Sequence, residues 1–398
     1  MEGILKGLNI DYKGYAFRFV LAILLAVGVY SAVDLWTLKT WNSSESLVIE
    51  IVDVGKETLL PSENAQEGEE PFQTVETQLV IQVLTGEQKE QNFSIIVTQM
   101  EGSGILLEKG RRYILLADAF EDGSVQYSIA DVFRISSVVG IIVFACAALI
   151  AFAGNAGARA LLGLSLSIVC LLWGYIPLVA GGFPPVPGAF LAVLFISVVT
   201  IVCVVQRKQA RSVALLGTLG GVGGAFFLGY LMVEFWQLSG LAGESASLLV
   251  TTIAGIDVRG VLLASVIISA IGAVLDVGIS ITAAMSELIE YDPDIALLRL
   301  WSSGIRVGSE VLGSMINTLI LAYLGTSLPV ALLISNAGAD FWGLLNDPYV
   351  GQEIVHSLAG TSGLLLTIPM TATFFILQEK LLALRSAGKE KPGENEDE

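Results

Sequence analysis

Charge, histidine and cysteine are all scarce in this chain, and each scarcity excludes a class of function. Only 15% of its 398 residues are charged, against about 25% in soluble globular domains. The one histidine is His356. The three cysteines stand in separate apolar runs and form no CxxC pair: Cys146, Cys170 and Cys203. Zinc sites need clustered ligands, and a Ser-His-Asp hydrolase needs histidine beside its nucleophile, so we expect no metal, no cofactor and no enzymatic activity.

Basic residues are also few, since 21 Lys and Arg stand against 38 Asp and Glu, for a net charge of −17. Nucleic-acid binding depends on clustered Lys and Arg that neutralise phosphates, so nucleic acid is not an expected partner. Many of the Asp and Glu residues lie outside the apolar runs, between Glu45 and Glu108 and in the final GENEDE. The stretch Ser62–Glu70 lacks the calcium-loop pattern, which favours a solvated loop over a cation site.

Apolar residues are abundant, at 54% of the chain with a mean hydropathy of +0.73. About 20 apolar residues in a helix span the hydrocarbon core of a bilayer, which is about 30 Å thick. The run Ala16–Trp36 has this length. Further spans are predicted at about 136–153, 159–180, 188–206, 211–235, 261–284, 305–325 and 358–383. The predicted fold is therefore an α-helical polytopic membrane protein with about eight transmembrane helices.

The first apolar run has two interpretations, a retained anchor or a cleaved signal peptide. A signal peptide here would have a long apolar core, and cleavage after Ala32 would place the bulky Tyr30 three residues before the cut. We therefore favour a retained anchor. In either case the segment that follows lies outside the cytoplasm.

Residues 42–131 form a different kind of region. Short segments rich in Val, Ile, Thr and Tyr alternate partly between apolar and polar residues and are separated by Gly, Pro, Asn and Asp. They read SLVIEIVDV, TVETQLVIQVL, NFSIIVTQM, RRYILLADA and SVQYSIA. This pattern is typical of antiparallel strands. It predicts a small extracytoplasmic all-β domain, a barrel or a sandwich, inserted after the first helix.

Lys and Arg in short loops predict the orientation. With the N-terminus inside, the cytoplasmic side receives the basic N-terminus, Gln206–Arg211 and the basic C-terminal residues, while the outside turns 181–187 and 336–357 hold no Lys or Arg. Arg134 and Arg259 oppose the scheme because both would lie outside. Four regions result: 1–41, cytoplasmic N-terminus and first helix; 42–131, β domain; 132–384, seven-helix membrane domain; 385–398, acidic disordered cytoplasmic tail.

Charge inside two neighbouring apolar runs indicates a candidate site. A charged side chain at the bilayer centre costs about 2.5–3.5 kcal/mol on insertion scales, so such residues are functional candidates by default. At about 1.5 Å of rise per residue, Asp276 lies about 12 Å and Glu310 about 9 Å from the inner helix ends. Ser280 is one turn from Asp276. The face of Glu310 also carries Arg306, Ser314 and Asn317.

Two carboxylates at similar depth would not both ionise easily, so one is expected to hold a proton near neutral pH. This predicts a transporter or permease for a small solute or ion. Asp276 and Glu310 would bind a proton or cation, and the neighbouring polar groups would line the site. The alternatives are a structural Arg306–Glu310 pair with Asn317 as interhelical glue, and an accessory or scaffold protein whose β domain binds an envelope partner.

Small residues recur every four positions in the span after Arg211: Gly217, Gly221, Ala225 and Gly229. They place small side chains along one helix face, where another helix can approach closely. No strand precedes these glycines, which excludes a dinucleotide-binding turn. Close helix packing is the favoured interpretation, with a moving contact or a pore-lining face as the alternative.

Two polar segments between spans predict short helices on the membrane surface. In the segment after Ser286, Asp292 is a good N-cap and Pro293 suits a first helical position. The segment Asn346–Leu358 also begins near an Asp-Pro pair and places His356 at its end, near the outer surface. In the last span, Pro369 predicts either a kink or a freed backbone carbonyl, which Thr367 or a neighbour could satisfy.

Three segments and the predicted β domain resemble the YibE/F family of bacterial membrane proteins. The segments are GAVLDVGISITAAMSEL (Gly272–Leu288), GSMINTLILAYLG (Gly313–Gly325) and EIVHSLAGTSGLLLTIPMTA (Glu353–Ala372). The family pattern corresponds to Asp276, Ser280, Glu287, Asn317, Pro329 and Pro369. The resemblance implies a multi-pass protein of the bacterial plasma membrane and no particular substrate. Expected partners are the lipid bilayer, a small solute or ion, an envelope protein and further copies of the chain.

Overall fold

The computed structural model describes residues 12–41, 46–60, 74–85, 89, 91–100, 105–119, 125–242, 244–336, 338 and 341–389. By internal packing the chain divides into two units, Met1–Gly157 and Ala158–Glu398. The acidic stretch Ser62–Glu70, the N-terminal residues before Tyr12 and the last nine residues lie outside the described part, so their predictions stay untested.

In the first unit, helix α1 is followed by a five-stranded antiparallel sheet and the start of helix α2. The elements are α1 (Tyr12–Thr40), β1 (Ser46–Leu60), β2 (Thr74–Val83), β3 (Asn92–Met100), β4 (Arg112–Ala119), β5 (Val125–Val132) and α2 (Ile135–Val169). The prediction of a small β domain after the first helix is confirmed. Helix α1 packs on α2, where Ala22 and Ala26 are buried and a Cβ added at Gly140 would lie 3.2 Å from Cβ of Tyr30.

The sheet has the strand order β3-β2-β1-β4-β5, and β3 also comes close to β5. The approach of β3 to β5 requires the sheet to bend, and strand β1 provides the bend. This strand pairs with β2 and β4 on its two edges and carries register shifts after Ile51 and Val54. Such bulges bend a strand and increase its twist. The sheet therefore curls into a small five-stranded barrel around a core that includes Ile49, Leu79 and Tyr113.

An ion pair ties α1 to the barrel. Nη1 of Arg112 on β4 lies 2.7 Å from both carboxylate oxygens of Asp34 on α1, and Ser136 at the start of α2 donates to the same carboxylate at 3.0 Å. Glu50 stands 3.6 Å from Nε of Arg112. Partial burial acts to lower the pKa of Arg112, but the hydrogen bond and charge of Asp34 outweigh it, so this pKa is raised.

The stretch Ile135–Ala180 contains 46 residues, which at about 1.5 Å each is more than twice the thickness of a hydrocarbon core. Gly154 interrupts its helical backbone with φ 57° and ψ −133°, a conformation open to glycine because it has no Cβ. The stretch ends in a π-helical segment, Cys170–Tyr175, and a short helix α3, Ile176–Ala180. The described residues contain seven helices long and apolar enough to cross a membrane. The count of eight spans, which divides this stretch in two, stays a prediction.

The second unit is built around one helix, α7 (Val258–Tyr291). The other helices of this unit after α3 are α4 (Pro185–Val204), α5 (Lys208–Phe235), α6 (Glu244–Thr252), α8 (Leu297–Asn336), α9 (Phe341–Leu345) and α10 (Pro348–Lys389). Helices α4, α5, α8 and α10 all pack against α7. The shared core includes Val193, Val222, Ile267, Ile281 and Leu364, all buried.

Helix α5 packs along α10 through the predicted face of small residues. All four positions are buried, namely Gly217, Gly221, Ala225 and Gly229. A Cβ added at Gly217 would overlap Oγ1 of Thr371, and one at Gly221 would overlap Oγ1 of Thr367. Only hydrogen atoms fit there, so the absence of a side chain at these two positions lets the helices approach closely.

Two predicted short helices are not separate elements. Asp292 does not begin a helix; it follows the last residue of α7, and α8 begins at Leu297, so the predicted inner surface helix is the first part of α8. Asn346–Leu358 is not separate either, because α10 runs without a break from Pro348 through Pro369. Helix α10 continues to Lys389, and the prediction of a disordered tail stays a prediction.

The two arginines that oppose the predicted orientation both have acidic partners. Arg134 forms an ion pair with Asp131, and Nη2 of Arg259 lies 2.6 Å from Oε2 of Glu234. The orientation itself remains a prediction.

Candidate functional site

One face of α7 carries small or polar residues along almost its whole length. Successive members lie three or four residues apart, which keeps them on one side of a helix with 3.6 residues per turn. The positions are Ser265, Ser269, Gly272, Asp276, Ser280, Ala283 and Glu287, hereafter the α7 strip. From Gly272 onward every member is exposed. None of these seven positions carries a large apolar side chain.

The other sides of α7 are buried. Val274 and Gly278 face α5 and α10, where a Cβ at Gly278 would lie 3.1 Å from Oγ1 of Thr218. Ile281 and Met285 meet α8. The strip is thus the one side of a central helix that its neighbours leave uncovered within the described residues. Polar side chains on a membrane helix face the protein interior or water, which makes this strip a candidate polar pathway.

Asp276 stands near the middle of α7, among the exposed members of the strip. Neither its carboxylate nor the hydroxyl of Ser280, one turn away, has a hydrogen bond or ion pair to any side chain in the described part of the protein. The two groups are therefore free to bind a ligand. Ser269, by contrast, donates to the carbonyl of Val266 in its own helix at 3.0 Å.

At one end the strip reaches a contact between three helices. Oγ of Ser265 on α7 lies 2.7 Å from Nε2 of His356 on α10. The imidazole stacks on the ring of Tyr323 from α8, with centroids 5.8 Å apart and planes inclined by 13°. The prediction placed His356 at the end of a separate surface helix. The structure instead places it inside α10, half-buried, at the head of the α7 strip.

Helix α8 turns its charged residues away from the bundle. Its packed side includes Gly304, which fits against Met285 and Ala372, and Gly308, which fits against Ile281 and Ile368. The opposite side is exposed and carries Arg306, Glu310, Ser314 and Asn317. In the described residues no hydrogen bond or ion pair joins Glu310 to Asp276, and none joins Glu310 to Arg306.

The depths of the two acids can be compared through the helix contacts. Met285 faces Gly304 and Ile281 faces Gly308, so α7 and α8 run antiparallel with a shared register. Extending this register by five residues places Asp276 level with Gly313, three residues from Glu310. That separation is about 4.5 Å along the axis. The acids thus lie within one turn in depth, and each side chain belongs to an exposed face of its own helix.

Sequence reasoning identified Asp276 and Ser280 but not the rest of the strip as a unit. Ser265, Ser269 and Ala283 carry no charge, so charge inside an apolar run does not mark them as candidates. Their spacing of three and four residues on either side of Asp276 is a detectable signal in the sequence. Tyr323 could not be found in this way, because its contact with His356 joins residues far apart in the chain.

The described residues contain no cluster of side chains that could hold a metal ion. Among the residues that the structure describes, no group of three or more His, Cys, Asp or Glu side chains is arranged to hold a metal ion. Asp276 and Ser280 together supply a carboxylate and one hydroxyl. Such oxygen ligands suit a proton or a weakly held hard cation rather than a tightly bound transition metal.

The fold and the strip together define a class: a multi-helix protein whose described residues form seven helices able to cross a membrane, with a small β barrel after the first and a polar strip along the central helix of the second unit. A family model described as YibE/F-like protein matches residues 141–380. The chain therefore belongs to the YibE/F-like family, as its motifs implied. No curated protein and no solved structure matches the chain.

Proposed function

We propose that this protein is a transporter or permease that moves a small solute or ion along the α7 strip, with Asp276 as the group that binds a proton or cation. The observation that carries the proposal is an unpaired carboxylate near the middle of a helix that can span a membrane. A charge at the bilayer centre opposes insertion by about 2.5–3.5 kcal/mol. A leucine at the same position would remove that penalty, so the carboxylate needs a functional reason.

The neighbours of Asp276 suit a passing ligand. Gly272 and Ser280 lie one turn to either side of it, and both leave space beside the carboxylate because their side chains are small. The hydroxyl of Ser280 adds a second oxygen at the same face. A cation bound at Asp276 would neutralise the carboxylate, and so would a proton. Either event lowers the electrostatic penalty of moving this part of the strip out of water.

Glu310 and its neighbours on α8 are not required by this proposal. The sequence places Glu310 at a depth similar to that of Asp276, and the helix register agrees to within one turn. The side chain of Glu310 stands on a separate exposed face, so the transport proposal rests on Asp276 and Ser280 alone.

Flux measurements on Asp276→Asn test the proposal. The full chain is reconstituted in vesicles that contain a pH-sensitive dye, and proton flux is followed under imposed pH, Na⁺ or K⁺ gradients. We expect Asp276→Asn to reduce flux by at least about tenfold, as expected when a carboxylate that binds the proton is replaced by a group that cannot. Ser280→Ala should weaken the apparent affinity for the cation.

The matched control is Asp294→Asn, which removes an exposed acid in the turn between α7 and α8 and should keep full flux. All variants must elute as single species with unchanged melting temperatures. Full flux in a well-folded Asp276→Asn protein would refute the role of this carboxylate.

A further inference from the structure

The exposed face of α8 carries charged and amide side chains that the proposed transport function does not explain. Its central part carries Arg306, Glu310 and Asn317 on the side opposite to the packed glycines Gly304 and Gly308. Helix α8 spans Leu297–Asn336 and is long and apolar enough to cross a membrane, yet only 6% of its most apolar window is buried inside the protein. The face therefore presents a cation, an anion and an amide to whatever surrounds the helix.

Hydroxyl groups on this face are already satisfied, but the charged groups are not. Ser309 and Ser314 donate to carbonyls of their own helix, at 2.8 and 2.9 Å. The guanidinium of Arg306, the carboxylate of Glu310 and the amide of Asn317 have no hydrogen-bond or ion-pair partner among the residues described. Polar groups of this kind in membrane helices pair with one another or line water, so a covering partner must offer charges of both signs at this depth.

The same face has room for another backbone. Ser309 and Gly313 are four residues apart and both exposed, and a Cβ added at Gly313 would meet no atom within 4 Å. Small residues at this spacing let two membrane helices approach closely, and amides such as that of Asn317 then bond across the contact. The face thus combines a small-residue track with unpaired charge.

We propose that the partner is a second copy of this chain, packed with its α8 against the first about a twofold axis along the membrane normal. In such an interface each residue contact occurs twice, with the roles of the copies exchanged. Arg306 and Glu310 lie one turn apart, about 6 Å along the helix. The side chain of Arg306 in each copy therefore extends about one turn along the helix to Glu310 of the other copy. The twofold axis places the two symmetry-related pairs at the same depth in the membrane. Gly313 and Ser309 meet near the axis.

Charge complementarity favours a second copy over lipid or a different protein. Lipid tails offer no partner for either charge. An unrelated helix would need an acid and a base at matching depth, whereas this face already contains both in the required order. The proposal does not depend on transport, and a dimer that carries no flux would leave it intact.

Charge exchange provides the first test. The mass of the full chain is measured in lipid nanodiscs and by dilution in detergent, and the wild type is expected at twice the 42.2 kDa of one chain. Arg306→Glu and Glu310→Arg each place like charges together and should weaken the dimer at least about tenfold. The double variant R306E/E310R restores opposite charges and should recover the wild-type dissociation constant to within a few-fold. A monomeric wild type, a dimer unaffected by both single variants, or a double variant that fails to recover would each overturn the proposal.

Cross-linking keeps the proposal testable if the charge variants fold poorly. In a protein whose three cysteines are replaced by alanine, Gly313→Cys should form a disulfide between copies in native membranes. Gly223→Cys on α5, where an added Cβ also meets nothing within 4 Å, is the control and should not. Absence of the Gly313 cross-link, or equal cross-linking at both positions, would refute an interface at α8.

Discussion

At the scale of single residues, Arg112 has a larger structural role than its position in a polar strand pattern suggests. Its guanidinium holds both oxygens of Asp34, and 16% of the Asp34 side chain is exposed. Arginine suits this task because its planar group donates to a carboxylate from a fixed geometry. The pair joins helix α1 to the β barrel, two elements whose sequence patterns have nothing in common.

We predict that Arg112→Ala lowers the free energy of unfolding of the first unit by about 1–3 kcal/mol, because it leaves the Asp34 carboxylate without its charged partner. Thermal unfolding of the full chain, with limited proteolysis of the β barrel, measures the change. The control is Lys109→Ala, which breaks a 3.8 Å pair with Asp53 in which both side chains are about 70% exposed. Such a pair contributes about 0–1 kcal/mol. Equal effects of the two variants would refute a stabilising role of the Arg112–Asp34 ion pair.

At the scale of elements, one dipeptide has opposite roles in two places. Asp347-Pro348 begins α10, and the Asp347 carboxylate accepts from the backbone N–H groups of Tyr349 and Val350 at 2.9 and 3.2 Å. Asp292-Pro293 ends α7 instead, and α8 starts only at Leu297. Proline stops a helix that arrives from its N-terminal side and suits the first turn of one that begins. Local sequence alone therefore leaves both outcomes open.

The contact between α5 and α10 leads to a prediction about two glycines. Gly217→Ala and Gly221→Ala should each destabilise the protein by about 1–3 kcal/mol, because the new methyl group collides with Thr371 or Thr367 in a packed interface. Gly223→Ala is the matched control in the same helix, since its methyl group meets nothing within 4 Å. Alanine favours a helix over glycine by about 1 kcal/mol, so this control should melt at the same temperature or higher.

Melting temperatures of the three full-length variants in one detergent check this prediction. If Gly217→Ala and Gly221→Ala melted with the control, the helices would not be in the close contact described.

At the scale of the whole molecule, the packing of α7 connects fold to proposed function. Within the part of the chain that the structure describes, four helices pack against it and one of its faces stays uncovered, so the unit has a central helix with a polar side. The helix itself holds Asp276 and Ser280 about one turn apart on that side. Helix α8 differs, because its charged face points away from the other helices. This exposed face is the one that we propose to pack against a second copy of the chain.

The orientation of the molecule is testable with single cysteines in the cysteine-free protein. Ser239→Cys stands after α5, on the side predicted to be extracytoplasmic, and Asp294→Cys stands between α7 and α8, on the predicted cytoplasmic side. A membrane-impermeant maleimide should label Ser239→Cys in intact cells and Asp294→Cys only after permeabilisation, because each cysteine is accessible from one compartment. Reversed labelling would invert the topology, and labelling of both in intact cells would contradict the number of spans between them.

The sequence by itself determined the apolar helices, the β domain, the small face of α5 and the position of Asp276. Each of these is a local pattern, since a run of about 20 apolar residues or a repeat of three and four positions lies within one element. Only the tertiary structure decided that β3 closes on β5, that His356 meets Ser265 and Tyr323, and that the charged side of α8 faces outward. These outcomes depend on which elements become neighbours, and residues distant in the chain set that through packing rather than through any local pattern.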